Sequence, residues 1–262
     1  MFTHESEVYH MIRILVVDDL KALLDAVKFV LESNQGFQVD TATSVEQALS
    51  YLEEHEYDII ISDYFMPDIN GLEFLKHIRS MNNTIPFIIQ TGQGDEITAI
   101  EALQNGADYF LEKGNEGTLQ YLGFTQIINL LVSKRRNEEH LKKNVAKYEN
   151  LFELNSDGIV YVDKDGQIQD VNSSFLEITG CSKDDIRNMS YLQLIPEEWT
   201  DFDKKAIKEQ IFTDGRSEEF RRDYIRCDGF RLPISLRALV VKNHQDEPEG
   251  IWIIVRDVSR EV

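Results

Sequence analysis

Ile14-Leu15-Val16-Val17-Asp18-Asp19 is an unbroken aliphatic run that ends on two carboxylates, and its reading decides the first half of the chain. Three further runs also close on a polar residue: Ile59-Ile60-Ile61 leads to Asp63, Phe87-Ile88-Ile89 to Thr91, and Tyr109-Phe110-Leu111 to Lys113. A half-exposed strand alternates apolar and polar side chains. Runs that lack this alternation point to strands buried on both faces, as in a parallel sheet covered by helices. Such sheets bind ligands beyond the carboxyl ends of their strands. Asp18, Asp19, Asp63, Thr91 and Lys113, remote from one another in sequence, are therefore expected to converge on one crevice.

Between the runs the apolar spacing turns helical. Leu20, Leu23, Leu24, Val27, Val30 and Leu31 predict a helix covering one face of the sheet. Ser44 with Gln47 resembles a capping box. Asp95 suits the cap of a helix carrying Ile97, Ile100 and Leu103, and Gly106 suits the left-handed residue that ends it. Five strands, each followed by a helix, make an α/β unit.

Phosphoryl transfer needs these residue types, because a negatively charged group must approach a carboxylate nucleophile. Mg²⁺ prefers oxygen ligands and keeps several waters, a role that fits Asp18, Asp19 and Asp63. Lys113 would set a fixed positive charge against the phosphoryl oxygens, and Thr91 a hydroxyl donor. Gly92 would leave the approach to Asp63 open.

These residues resemble the receiver domain of bacterial and archaeal two-component response regulators, over roughly residues 12 to 125. The resemblance implies a doubly wound, five-stranded, flavodoxin-like parallel sheet. It implies Asp63 as phosphoacceptor, Asp18 and Asp19 as acidic metal residues, and Thr91 and Lys113 as the switch pair, with Phe110 at the aromatic switch position. Asp63-Tyr64-Phe65-Met66-Pro67-Asp68-Ile69-Asn70-Gly71 matches the family's acceptor signature, which implies the Phe65 main-chain carbonyl as a further metal ligand. The implied partner is a histidine kinase or phosphotransfer protein. The family usually has proline after the switch lysine, where Gly114 stands here; a non-proline cis bond costs roughly 2.5 to 4 kcal/mol. The Gly114–Gly117 loop is thus expected to be mobile. Aspartate-nucleophile phosphohydrolases share parts of this pattern but carry a second acid two residues after the nucleophile, where Phe65 stands. Asp63 is accordingly expected to hold a phosphoryl group rather than to turn over substrate.

Beyond residue 117 one long helical stretch follows, with Ile127, Leu131, Leu141, Val145, Tyr148 and Phe152 on alternating three- and four-residue steps, interrupted by Lys134 and Glu138. Positions 126 to 150 would extend nearly 40 Å, roughly 1.5 Å per residue, as a signalling helix able to pair in a parallel coiled coil or to stand alone in solvent. Lys134, Arg135, Arg136, Lys142, Lys143 and Lys147 outnumber Glu138, Glu139 and Glu149 there, in a chain whose net charge is −20. Attraction within or between subunits is expected for this patch rather than nucleic-acid binding. His140 lacks the flanking sequence of a phosphorylated kinase histidine and reads as an exposed helix residue.

From about residue 148 the chain resembles a PAS domain, an α+β fold with an antiparallel sheet. The matching segments are Tyr148–Phe152 as a leading helix, a hairpin turning at Asp165-Gly166, and Val171-Asn172-Ser173-Ser174-Phe175 opening a helix that Asn172 can cap. Cys227-Asp228-Gly229 separates two strands, and Leu232, Ile234, Leu236, Ala238 and Val240 alternate as a half-buried strand should. Trp252 lies in the last strand, before Arg256-Asp257-Val258-Ser259-Arg260, which is similar to the family's output junction. The helical histidine of haem-binding PAS domains is absent, His244 falling in a loop, and so is the asparagine-cysteine-arginine sequence of the flavin sensors, Cys181 lying in Gly-Cys-Ser-Lys. An interaction or dimerisation module is expected, with an unidentified small ligand in the interior as the alternative.

The expected organisation is a receiver over 1–124, a helical linker over 125–147 and a PAS domain over 148–262. The 262 residues suffice for two cores, no apolar run reaches membrane-spanning length, and no signal peptide is visible, so a cytoplasmic protein without membrane insertion is expected. Cys181 and Cys227 have no metal-type spacing and are expected to be reduced. Met11 directly before the first run could be the start residue. Either a complete receiver–PAS protein or the front part of a longer hybrid sensor kinase fits the sequence.

Overall fold

The computed structural model describes residues 11–33, 36–92, 96–113, 117–187, 189–199 and 215–259, and contacts divide the chain into units of residues 1–142 and 143–262. The first unit contains β1 (Ile12–Val17), α1 (Lys21–Glu32), β2 (Phe37–Ala42), α2 (Val45–Glu54), β3 (Ile59–Asp63), α3 (Gly71–Ser80), β4 (Phe87–Thr91), α4 (Glu96–Gln104), β5 (Tyr109–Glu112) and the start of α5 (Gly117–Glu153). All strand pairs are parallel, in the order β2-β1-β3-β4-β5. Successive side chains of one strand enter two different cores. Ile12, Ile14, Val16, Ile59, Ile61 and Ile88 meet Leu24, Val27 and Leu31 of α1 and Phe124, Ile128 and Val132 of α5. Leu15, Val17, Ile60, Phe87 and Ile89 meet α2 and α3 on the other side. With both faces buried, neither set of positions needs a polar residue, which is why the runs show no alternation.

The helix ends differ in detail from the sequence reading. Leu20 is not part of the packed stripe of α1: it is the cap residue and is 59% exposed. Ser44 caps α2 by accepting from Gln47 N–H at 3.2 Å, but the Gln47 carboxamide turns to Thr43 N–H instead of closing the box on Ser44. A complete capping box lies at α3, between Asn70 and Glu73. At the amino-terminal end of the sheet, beside β1 and β3, Asp58 accepts from Arg13 N–H and from the Arg136 guanidinium, each at 2.8 Å, and so fixes α5 to the body of the unit. His140 is exposed, as its flanks suggested. Asp95, Gly114, Arg260 and the ten residues before Met11 lie outside the described residues.

The second unit holds β6 (Gly158–Asp163), β7 (Ile168–Val171), α6 (Ser173–Thr179), α7 (Lys183–Arg187), a 3-10 turn (Tyr191–Leu194), β8 (Phe220–Ile225), β9 (Arg231–Lys242) and β10 (Pro248–Asp257). Its antiparallel sheet has the order β7-β6-β10-β9-β8. Val160, Val162, Ile234, Leu236, Ala238, Ile251, Ile253 and Val255 point to one core, closed by Phe175 of α6, Ile186 of α7 and Leu194. Phe152, which ends the helical spacing of the linker and also falls in the expected leading helix of the second domain, is buried at the end of α5, between Tyr148 and Trp252, with ring centroids 5.7 Å from each. Asn172 is fully buried and spends its whole hydrogen-bonding capacity: Oδ1 accepts from Ile159 N–H and Phe175 N–H, and Nδ2 donates to the carbonyls of Phe152 and Asp157.

The expectation of reduced cysteines is corrected: Cys181 and Cys227 form a disulfide across 46 residues of sequence. The sequence places them far apart, but the β8–β9 turn folds onto the end of α6, where Cys227 N–H donates to the Thr179 carbonyl at 2.9 Å.

Two outcomes follow from this packing. Asn172→Ala removes a cap and leaves buried donors and acceptors unpaired, and is expected to cost about 3 kcal/mol, read from denaturant unfolding. Burial pushes the Tyr191 hydroxyl up to about 12, against smaller lowering effects of its bond to Tyr224 and of Arg222; burial also holds Tyr224 well above the ordinary value of 10.0. A raised folded value means that the neutral pair contributes stability fully below about pH 10 and loses it as pH rises toward 12. The share of phenolate absorbance due to Tyr191 and Tyr224, two of the chain's ten tyrosines, read as the difference between the wild type and Tyr191→Phe/Tyr224→Phe, should therefore appear together with loss of the fold over this window, not before it.

Candidate functional site

The order of the first sheet places β1 between β2 and β3, so the connections that leave β1 and β3 run in opposite directions and open a crevice between their carboxyl ends. Asp18 follows β1 and Asp63 ends β3 on the two sides of that crevice. Thr91 ends β4, one step beyond the Asp63–Gln90 register pair, and is fully buried. Lys113 follows β5, with its N–H donating to the Thr91 carbonyl at 2.6 Å. The five residues named from sequence are thus brought to one end of one sheet.

Lys113 Nζ lies 2.6 Å from Asp18 Oδ2 and 2.6 Å from Asp63 Oδ1, bridging two buried carboxylates. The second oxygen of Asp18 accepts from Leu20 N–H at 2.9 Å and so orients the start of α1. Burial raises the Asp63 carboxyl above the usual aspartate range; the Lys113 ammonium opposes that shift and the Asp18 charge adds to it. Burial pulls Lys113 down, but hydrogen bonds and attraction to Asp18 and Asp63 outweigh it and leave its pKa raised. The ammonium is therefore a fixed cation across the neutral range.

Asp18, Asp19 and Asp63 each offer a carboxylate oxygen within 4.8 Å of the others. Three hard oxygen donors at that separation, one of them exposed, suit Mg²⁺ with retained waters. Phe65, whose carbonyl was assigned from the resemblance, lies in the loop after β3 with an exposed side chain that packs edge-on against Tyr64. Phe110 is partly buried against the core that contains Ile60, Phe87 and Ile89. At Gly92 the space that a Cβ would enter is open, with no atom of the described residues within 4 Å.

The sequence reading missed the role of Gly71. A Cβ on this residue would lie 2.1 Å from the Asp63 carbonyl oxygen, because the loop returns so closely that Gly71 N–H bonds to the Tyr64 carbonyl at 3.0 Å. The Asn70-x-x-Glu73 capping pattern was the available signal for a helix starting at that point. Together they fix the backbone that presents Asp63.

Gly71→Ala is expected to lower stability by about 1 to 3 kcal/mol in thermal unfolding, because backbone rather than a flexible side chain must yield. Lys113→Met leaves two buried carboxylates without their cation. Its melting temperature should be below that of the wild type without Mg²⁺ and should rise more than that of the wild type when Mg²⁺ is added.

Residues 14–120 match the family model described as the response regulator receiver domain, and residues 146–258 match the one described as the PAS fold. The phosphate regulon transcriptional regulatory protein PhoB of Escherichia coli K12 is 38% identical over 103 residues, covering 38% of this chain and 44% of that protein. The response regulator SaeR of Staphylococcus aureus USA300 is 30% identical over 152 residues, 58% of this chain and 64% of its own length. The chain thus spans about half the length of the curated relatives it matches. Among solved structures, the receiver domain of the Francisella response regulator 1452 aligns at 28% identity over 47% of this chain and 98% of that one, with a TM-score of 0.43.

Proposed function

We propose that this chain, a response regulator receiver domain followed by a PAS domain, works in two-component signalling by accepting a phosphoryl group on Asp63 and relaying that event to its PAS domain. The observation that carries this reading is the Lys113 ammonium held 2.6 Å from both Asp18 and Asp63. The ammonium stands beside the carboxylate that would take the phosphoryl group, where it can turn to that group's oxygens.

In the proposed reaction an Asp63 carboxylate oxygen attacks the phosphorus of a phosphohistidine on a kinase or phosphotransfer partner. The P–O bond forms as the P–N bond breaks, and the electron pair of that bond returns to the imidazole. Lys113 leaves its bridge to meet the phosphoryl oxygens, and Thr91 donates its hydroxyl to one of them. Asp18, Asp19, Asp63 and the Phe65 carbonyl would hold Mg²⁺, which when bound neutralises charge on the transferring group. Phe65 stands where an aspartate-nucleophile phosphohydrolase needs its second acid, which favours a stored phosphoryl group over turnover.

The relay would run through Thr91 and Phe110 to α5. The proposed linker over 125–147 begins packed, since Ile128 and Val132 are buried and Arg136 is tied to Asp58. It continues with Leu141, Val145 and Tyr148 exposed on one side, a face suited to pairing with a second copy. Arg135 and Arg136 already face Glu139 and Asp58, and the chain is strongly acidic, which supports a protein rather than a nucleic-acid partner. The receiver match is what supports the cytoplasmic location we propose; no helix among the described residues is long and apolar enough to cross a membrane.

The test is intact mass after incubation with Mg²⁺ and a small acyl phosphate, with elution volume followed in parallel. One phosphoryl group on the wild type, none on Asp63→Asn, and an elution shift confined to the labelled protein are expected. Equal labelling of both proteins would overturn the assignment, and repeated turnover of the acyl phosphate would favour the hydrolase reading.

A further inference from the structure

The Cys181–Cys227 disulfide joins two segments that are already held together without it. Cys181 follows Gly180, the left-handed residue that ends α6, with φ 66°. Cys227 opens the turn between β8 and β9. Beside the disulfide, Cys227 N–H donates to the Thr179 carbonyl, and Arg226 Nη1 donates to the Ile178 carbonyl at 3.0 Å. The Arg226 guanidinium lies so close over Gly180 that a Cβ there would sit 2.7 Å from Nη2. These contacts hold the two sulfur-bearing residues side by side, with Cα atoms 5.2 Å apart, by bonds that do not involve sulfur. Cys181 packs into the core that Phe175, Ile186, Tyr191 and Leu194 close, and Cys227 lies at its exposed rim, so this bond adds a tie to a core and does not replace one.

The two cysteines differ in access. Cys227 is exposed, whereas Cys181 is buried, with 7% of its surface accessible and its Sγ near the Thr179 carbonyl. Exchange therefore has a defined order, since attack follows access to the sulfur. α6 is seven residues long, and its other end is the Asn172 cap, whose Nδ2 holds the Phe152 carbonyl in the last turn of α5. One short helix thus carries the cysteine tie at one end and the contact to α5 at the other.

We propose that Cys181 and Cys227 form a reversible thiol–disulfide site, opened and closed by exchange with small-molecule thiols and disulfides, that sets how firmly α6 holds the end of α5. In the closing direction the Cys227 thiolate attacks an external disulfide RSSR, forming Cys227–S–S–R and releasing one RS⁻. The Cys181 thiolate then attacks Cys227 Sγ, forming the internal disulfide and releasing the second RS⁻. The two cysteines together lose two electrons, the external disulfide gains two, and the two thiol protons end on two RSH. Opening by an external thiol is the reverse.

The test uses the full chain, reduced with dithiothreitol and then treated with oxidised glutathione, with thiols counted by alkylation and mass. The wild type is expected to show two free thiols after reduction and none after oxidation, and to carry no glutathione. Cys181→Ser should trap one glutathione at the exposed Cys227, whereas Cys227→Ser should remain unmodified. Hydrogen exchange should slow by about tenfold or more on oxidation at the amides of Gly180 and Cys227, and to a lesser degree in residues 148–153. Cys227→Ser, which removes only an exposed thiol, should exchange like the reduced wild type in every condition. Two alkylated thiols after oxidation, or equal exchange rates in oxidised and reduced protein, would overturn the proposal.

Discussion

Three carboxylates at one crevice would repel one another, and the first unit is organised around the cation that prevents this. Lys113 Nζ bridges Asp18 and Asp63, its backbone is held to Thr91, and the other oxygen of Asp18 starts α1. A buried carboxylate pair of this kind is costly unless a positive charge is supplied. An ammonium on a flexible stem can also leave when a different anion arrives. The bridge is a stabilising contact and, in the proposed transfer, the element that a phosphoryl group would displace; Phe110 in β5, three residues before the lysine, is partly buried against the core.

Most of this was legible because parallel strands buried on both faces leave a plain trace. The runs at Ile14, Ile59 and Phe87 end in the side chains that form the crevice, and the topology alone brings them together. Gly71 was not legible as a steric necessity: its constraint is the return of a loop onto the Asp63 carbonyl, a distance that no local pattern encodes. Leu20 fitted the helical spacing of α1 but falls on its cap, where the stripe has not yet turned toward the sheet. Periodicity is blind to where a helix begins.

The second unit shows the same division. The alternation along β9 and the caps at Asn172 and Gly180 are local, and the sequence carries them openly. The pairing of Cys181 with Cys227 and the burial of Phe152 against Trp252 depend on which surfaces the fold brings together. Phe152 continues the three- and four-residue spacing of the linker equally well, so only its partner decides whether it belongs to a coiled-coil seam or to a core. Asn172 combines the two levels, since its cap was expected while its bonds to Phe152 and Asp157 were not.

The proposed phosphoryl acceptor is Asp63, and neither of the acids beside it. Hydride reduction converts an aspartyl phosphate to homoserine, which marks the acceptor within the wild-type chain without any substitution. Peptide mapping after treatment with Mg²⁺, acyl phosphate and borohydride should find homoserine at position 63 alone. Homoserine at position 18 or 19, or an acceptor outside the crevice, would contradict the role given to the Lys113 bridge.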